Sequence, residues 1–242
     1  MLVGSATFFT FTAQLIGIGN VAPVFYFLSL ALGPTTADLA RNASNRAFNN
    51  KYTVLLLPLM LVLHNLEVLA AYLLPSPEAR HYWVWAWQMS PLWIGIANVV
   101  GGQLFGNLSP TGALSGIGRS QVTLVVLSTI SALVWAAVLV LSPYPSSQIF
   151  VPALEEQTDL VLHTRKALQF DQVSSFGASF LWLAYQFIDL YREGLIGAEG
   201  LWQVAVLPVV GSLAGPGVAF ALGWYWREQK LSGHGAGKVS SR

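Results

Sequence analysis

The chain contains no cysteine. Disulfides, thiol nucleophiles and thiolate metal sites are therefore excluded. Charge is scarce too: Asp, Glu, Lys and Arg make up 10% of the 242 residues, against about 25% in a soluble domain. Their balance is +1, which offers no footprint for nucleic acid or an acidic partner. The HExxH, G-x-S-x-G and paired-histidine signatures of metal and serine hydrolases are missing, as is any repeat of fixed period. The opening MLVGSATFFTF lacks the basic leader of a secretory signal, which predicts a retained first helix.

What the chain has in abundance is apolar sequence, 54% hydrophobic residues at a mean hydropathy of +0.57. This predicts an all-α fold, a polytopic transmembrane helical bundle. Apolar stretches separated by polar connections give about six spans, at 5–32, 52–74, 83–105, 121–142, 171–190 and 201–226, each long enough to cross a bilayer. They form a single transmembrane helical domain over 1–230, followed by a polar tail, LSGHGAGKVSSR, expected to be unstructured over 231–242. Trp83, Trp85 and Trp87 open the third span as an interfacial aromatic belt. The connection from Pro143 to Phe170 is the longest. It begins PYPSS and carries mixed charge, so part of it reads as a short interfacial helix.

Six spans place both termini on one side, and the basic residues lean that side towards the cytoplasm. N-x-S/T triplets at Asn42 and Asn107 fall on the other side, in keeping with a lumenal face. The same topology gathers Gln14, His64, Asn65, Glu67, Gln88 and Asp171 into one half of the bilayer. Glu67 then lies roughly 10 Å below the surface, with His64 about one turn deeper. Ionisable side chains at such depth face the protein interior, where they pair or do chemistry. His64 and Glu67, three apart on one helix face, are either a structural pair or an acid–base pair. Asp171, at the mouth of its helix, is either a cap or an acid. Gln14, Asn65 and Asn98 serve as interhelical glue or belong to a site.

Other features have plainer readings. Gly102-x-x-x-Gly106 and Gly211-x-x-x-Gly215 mark close helix packing, and Pro216 a kink. The loop TGALSGIG lies between spans without βαβ context, so nucleotide binding is rejected. Glu155, Glu156 and Asp159 form a solvated charge run or, alternatively, a Mg²⁺–diphosphate site. Most of the 9 Trp, 8 Tyr and 13 Phe will be packing and belts. Trp135, Trp182 and Tyr185 fall inside spans, where ring faces can stabilise a cation.

The stretches LLLPLMLVLHNLEVLAAYLLP and HYWVWAWQMSPLWIGI, and AQLIGIGNVAPVFYFL near the start, resemble fungal integral-membrane terpene cyclases of meroterpenoid clusters. So do the Trp-Gln-x-x-Pro element Trp87–Pro91, the Gln-aromatic-Asp element Gln169–Asp171, and GPGVAFALGWYWREQK towards the end. The chain departs from the pattern at His64–Glu67, where Gly-Tyr-x-x-Pro is common, and at Arg227-Glu228, where relatives carry a longer charged run. The resemblance implies proton-initiated cyclisation of a farnesyl-type alkene or epoxide, without metal or cofactor, in a membrane that is expected to be the endoplasmic reticulum. Burial keeps a carboxylic acid protonated, and an apolar cavity excludes water that would quench a cation. The partners implied are a prenylated hydrophobic small molecule and membrane lipid. The expected catalytic residues are Asp171 and Glu67 as acids, oriented by Gln88 and His64. Gln14, Tyr26, Trp87, Trp182 and Tyr185 are the expected substrate-binding residues. Three competing functions stand beside this one: a proton-coupled transporter using His64 and Glu67, a non-catalytic membrane scaffold, and a metal-dependent prenyl-transferring enzyme using Glu155, Glu156 and Asp159.

Overall fold

The computed structural model describes residues 6–41, 46, 50–105 and 116–237. Among them the fold is an all-α helical bundle. Helix α1 spans Ala6–Ile16, α2 Ile18–Leu32, α3 Thr36–Arg41, α4 Asn50–Met60, α5 Leu66–Leu73 and α6 Pro77–Phe105. Then follow α7 Gly116–Leu141, α8 Ser146–Phe150, α9 Leu160–Arg192, α10 Ala198–Ala214 and α11 Pro216–Gly237. A single π-helical turn, Leu61–Asn65, joins α4 to α5. The stretches Thr53–Leu73 and Ser120–Leu141 are long and apolar enough to cross a membrane; α1, α2 and α10 are apolar but shorter.

Two compact units divide the chain, one of 1–17 with 47–123, the other of 18–46 with 124–242. In the first, α6 is the centre on which α1, α4 and α5 pack. The α4–α5 rod and α6 form an antiparallel hairpin. His64 faces Ser90, and Leu55, further from the turn at 74–76, lies where a Cβ on Gly101, also further from it, would stand. Ser76 Oγ accepts the Ala79 N–H at 3.3 Å, and Pro77 begins the helix, where its missing N–H costs no hydrogen bond. Gly95 lets α1 approach, since Thr7 fills the space a side chain would need.

In the second unit α9 is the centre, with α2 along it and α3, α8, α10 and α11 against it. Ser175, Ser179, Trp182, Leu183, Gln186, Phe187 and Leu190 are its buried positions from 175 onwards. They recur every three or four residues, the stripe of a helix facing a core. Leu183, Phe187, Leu190, Leu207 and Leu231 are fully buried, each worth about 1.5–3 kcal/mol against exposure.

The helices depart from the expected spans in four places. The stretch 201–226 is not one crossing. It breaks at Gly215, whose φ is 98°, and Pro216 opens the next helix. A glycine in left-handed backbone ends a helix and a proline starts one. Gly211 then faces Ala219, and Gly223 faces Leu207; these pairs lie symmetrically about Gly215, so α10 and α11 are an antiparallel hairpin. The even number of crossings, and the shared side for both termini, no longer follow. The stretch 5–32 is likewise two helices, broken at Gly17 with φ 90°. The helix expected over 171–190 starts earlier because Asp159 caps it, accepting the Val161 and Leu162 N–H groups at 3.0 Å each. Finally, α11 runs to Gly237, through the first part of the expected tail, because Leu231 joins the core. Asn42 and Asn107, Gly106, residues 111–115 of the glycine-rich loop and the tail from 238 lie outside the described residues.

Candidate active site

In the first unit the α4–α5 rod carries His64 and Glu67 against α6. His64 Nδ1 lies 3.3 Å from Ser90 Oγ, and its ring centre is 6.3 Å from that of Trp87. Glu67 is only 6% exposed, and its Oε2 is buried without a hydrogen-bond partner. Trp87 Nε1 is also buried without an acceptor. An unmatched acceptor one turn from His64 and an unmatched donor one turn from Ser90 thus flank the His64–Ser90 contact. Burying a polar atom without a partner costs about 1–3 kcal/mol in a protein, and a charge costs far more. Glu67 therefore brings into the interior an oxygen that the protein leaves unmatched.

Ser90, fully buried, was not among the expected site residues. It occupies an x of the Trp-Gln-x-x-Pro element, and its only signal is a small hydroxyl between Met89 and Pro91. Gln88, expected to orient the acid, is exposed instead. Two helical steps separate it from Ser90, which is about 200° around the helix. Gln14 is half-buried on α1. Asn65 is not interhelical glue: its side-chain amide donates to the Met60 carbonyl of its own helix at 3.0 Å.

In the second unit Asp171 lies within α9, not at its mouth. Its Oδ1 accepts the Gly19 N–H at 2.8 Å and its Oδ2 the Ile18 N–H at 3.2 Å. It is a cap, but of α2, set where a helix N-terminus favours negative charge. Gln169 is buried, its Nε2 donating to the Gln148 and Ile149 carbonyls at 2.7 and 3.1 Å, which ties α8 to α9. Tyr26 and Trp182 do meet. Their rings lie 5.3 Å apart, Ser179 Oγ is 3.0 Å from the Tyr26 hydroxyl, and Trp182 stacks on Trp224 at 5.4 Å. Tyr185 is 48% exposed, about a third of a turn from the centre of the buried stripe.

Arg227 ends the aromatic row. Its guanidinium lies 5.2 Å from the Trp224 ring centre, and its Nε donates to Gln186 Oε1 at 3.0 Å. The adjacent Glu228 pairs with it at 2.5 Å. Burial presses the Arg227 pKa below its ordinary value, and the neighbouring Glu228 works against that.

The second unit also holds a cavity of about 550 Å³, lined by Trp135, Phe150, Phe180, Pro208 and Pro216 with Gln172 as one of its few polar groups. Trp135 and Phe150 stack at 4.6 Å to form one wall. None of the expected site residues lines it. The alternative metal site does not assemble either. Asp159 caps α9, and among the described residues no three His, Asp or Glu side chains converge.

No family model matches the chain, and no solved structure does. It is similar to the FAD-dependent monooxygenase verC1 of Penicillium polonicum, 30% identical over 235 residues, covering 93% of this chain and 29% of that protein. It is also similar to the FAD-dependent monooxygenase anuJ of Penicillium roqueforti, 28% identical over 229 residues, covering 89% of this chain and 27% of that protein. The chain spans less than a third of the length of these curated relatives.

Proposed function

We propose that the protein is a membrane-bound terpene cyclase in which Glu67 starts the reaction as a general acid on a prenylated precursor. The observation that carries this reading is the buried, unpartnered Oε2 of Glu67 beside the His64–Ser90 contact. Glu67 gives its proton to a terminal alkene carbon or an epoxide oxygen of a farnesyl-type chain. Internal double bonds each supply a pair of electrons to a new C–C bond, and a base takes the last proton, so the product is an isomer of the substrate. His64 and Ser90 orient the acid, and Trp87 offers its free N–H and its ring face. Asp171, with both oxygens accepting backbone N–H bonds, holds the fold together.

The relatives support an enzyme of fungal metabolism, and the finer assignment is ours. Flavin does not carry over to these residues. A dinucleotide needs a strand, a glycine-rich turn and a helix N-terminus for its pyrophosphate, and among the described residues the regular elements are helices. Residence in the endoplasmic reticulum belongs to the same proposal.

The test is to incubate microsomes carrying wild type, Glu67→Gln or Asp171→Asn with farnesylated phenol and epoxyfarnesyl substrates, with and without EDTA. Retention time and NMR report cyclisation, since the mass does not change. Cyclised product that survives EDTA and vanishes in Glu67→Gln is the expected result. Undiminished product in Glu67→Gln would remove Glu67 as the acid, and proton-coupled uptake into vesicles would favour the transporter instead.

A further inference from the structure

Ser90 has no exposed surface. Among the described residues its hydroxyl hydrogen-bonds to His64 Nδ1, at 3.3 Å, and to no carbonyl. Other hydroxyls on these helices are served by their own backbone. Thr10, Thr129, Thr164, Ser179 and Ser212 each donate to the carbonyl four residues earlier. Ser90 instead turns its oxygen towards a side chain of the α4–α5 rod. A hydroxyl carries one proton to donate and two lone pairs that accept. An oxygen with two lone pairs tolerates one idle, whereas a buried donor left unpaired is rare and costs about 1–3 kcal/mol. The Ser90 proton therefore has to be placed, and the acceptor beside it is Nδ1. That nitrogen accepts only while it holds a lone pair, and a neutral imidazole then carries its own proton on Nε2.

We propose that Ser90 is a positioning residue, whose hydroxyl donates to His64 Nδ1 and holds the imidazole in the neutral tautomer protonated at Nε2. His64 then enters the site as a hydrogen-bond donor and not as a base. Three positions on, along the same helix face, Glu67 keeps an oxygen without a partner. When Glu67 gives its proton to the substrate, negative charge develops on that carboxyl group. A donor already fixed on the same face stabilises such charge, whereas a base would compete for the proton. The bond that breaks is the Glu67 O–H, and His64 neither gains nor loses a proton in that step. The proposal rests on the reading of Glu67 as the acid, but the tautomer it predicts is measured without turnover.

The test incorporates ¹⁵N-labelled histidine into the full chain in lipid, near neutral pH. The chain has 4 His, and His64→Gln identifies the His64 signals by their loss. Solid-state NMR separates protonated from unprotonated ring nitrogens by chemical shift. Wild type is expected to show one neutral His64 tautomer, with the proton on Nε2. Ser90→Ala, which removes the hydroxyl without adding bulk, is expected to show the other tautomer or a mixture, and Ser90→Thr to restore the first. The alanine variant decides the matter even where the threonine methyl does not fit. In parallel, kcat for cyclisation by Ser90→Ala falls about tenfold, the scale of one hydrogen bond to a charged group, with KM little changed. A proton on Nδ1 in wild type, or on both nitrogens, overturns the proposal. So does a tautomer that Ser90→Ala leaves unchanged. A changed tautomer with undiminished turnover also overturns it as a statement about positioning. If wild type makes no cyclised product, the reading of Glu67 falls, and the tautomer alone decides whether Ser90 sets the state of His64.

Discussion

Glu67 and Asp171 are both carboxyl groups set within largely apolar helices, and the two units of the molecule treat them in opposite ways. In the second unit Asp171 gives one oxygen to the Gly19 N–H and the other to the Ile18 N–H. In the first unit Glu67 keeps an oxygen buried with no partner. A saturated carboxylate is structural: its charge is matched by a helix terminus and its lone pairs are in use. An unsaturated one stores unfavourable energy that a substrate can relieve. The contrast separates two residues that look alike by type and by apolar setting, and it does so on hydrogen bonding alone.

The comparison breaks most sharply at Glu67 itself. Glu67→Gln keeps size and shape but removes the transferable proton. Cyclisation per folded molecule should fall by about 10²–10⁴-fold, the range for loss of a general acid, with thermal stability in detergent unchanged or improved. The second unit should respond through stability instead. Gly223 packs where a Cβ would stand 2.8 Å from Leu207 and would also strike Leu183. Gly223→Ala should cost about 1–3 kcal/mol by overpacking, read as a lower midpoint of thermal unfolding. Asp171→Ala removes the cap of α2 and should cost about 0.5–2 kcal/mol while turnover per folded molecule persists. The opposite pairing, a stable Asp171→Ala protein without activity, would make Asp171 the acid and reverse the assignment. The smallest effect belongs to Gln88→Ala. Gln88 is exposed, and its loss should move stability by less than about 0.5 kcal/mol and leave turnover within a fewfold of wild type. A large loss would restore it to the site.

Much of the architecture is legible in the chain because apolar run length dictates it. The helical class, the stretch containing Glu67 and the burial of that carboxyl follow from an apolar run that has few other uses for an acid. The hairpin at Gly215 was signalled by Gly-Pro, yet a kink and a reversal share that signature, and only the packing of Gly223 against Leu207 distinguishes them. The role of Asp171 depends on a partner in α2, far away in sequence, which local propensity does not encode. The π turn is less legible still. Its residues include His64 and Asn65, and nothing in their type marks the widened hydrogen bond from the Leu66 N–H back to the Leu61 carbonyl. Gln88 and Tyr185 lie off the buried faces of their helices, an angular position that residue type alone does not give.

The bond between Gly19 and Asp171 joins residues 152 apart in sequence. During synthesis at about 5–20 residues per second, α2 therefore waits about ten to thirty seconds before the residue that caps it exists. Until then its first N–H groups have neither the cap nor the α9 face that covers them in the finished fold. The order of manufacture thus leaves α2 provisional, and it is the late arrival of α9 that makes it permanent.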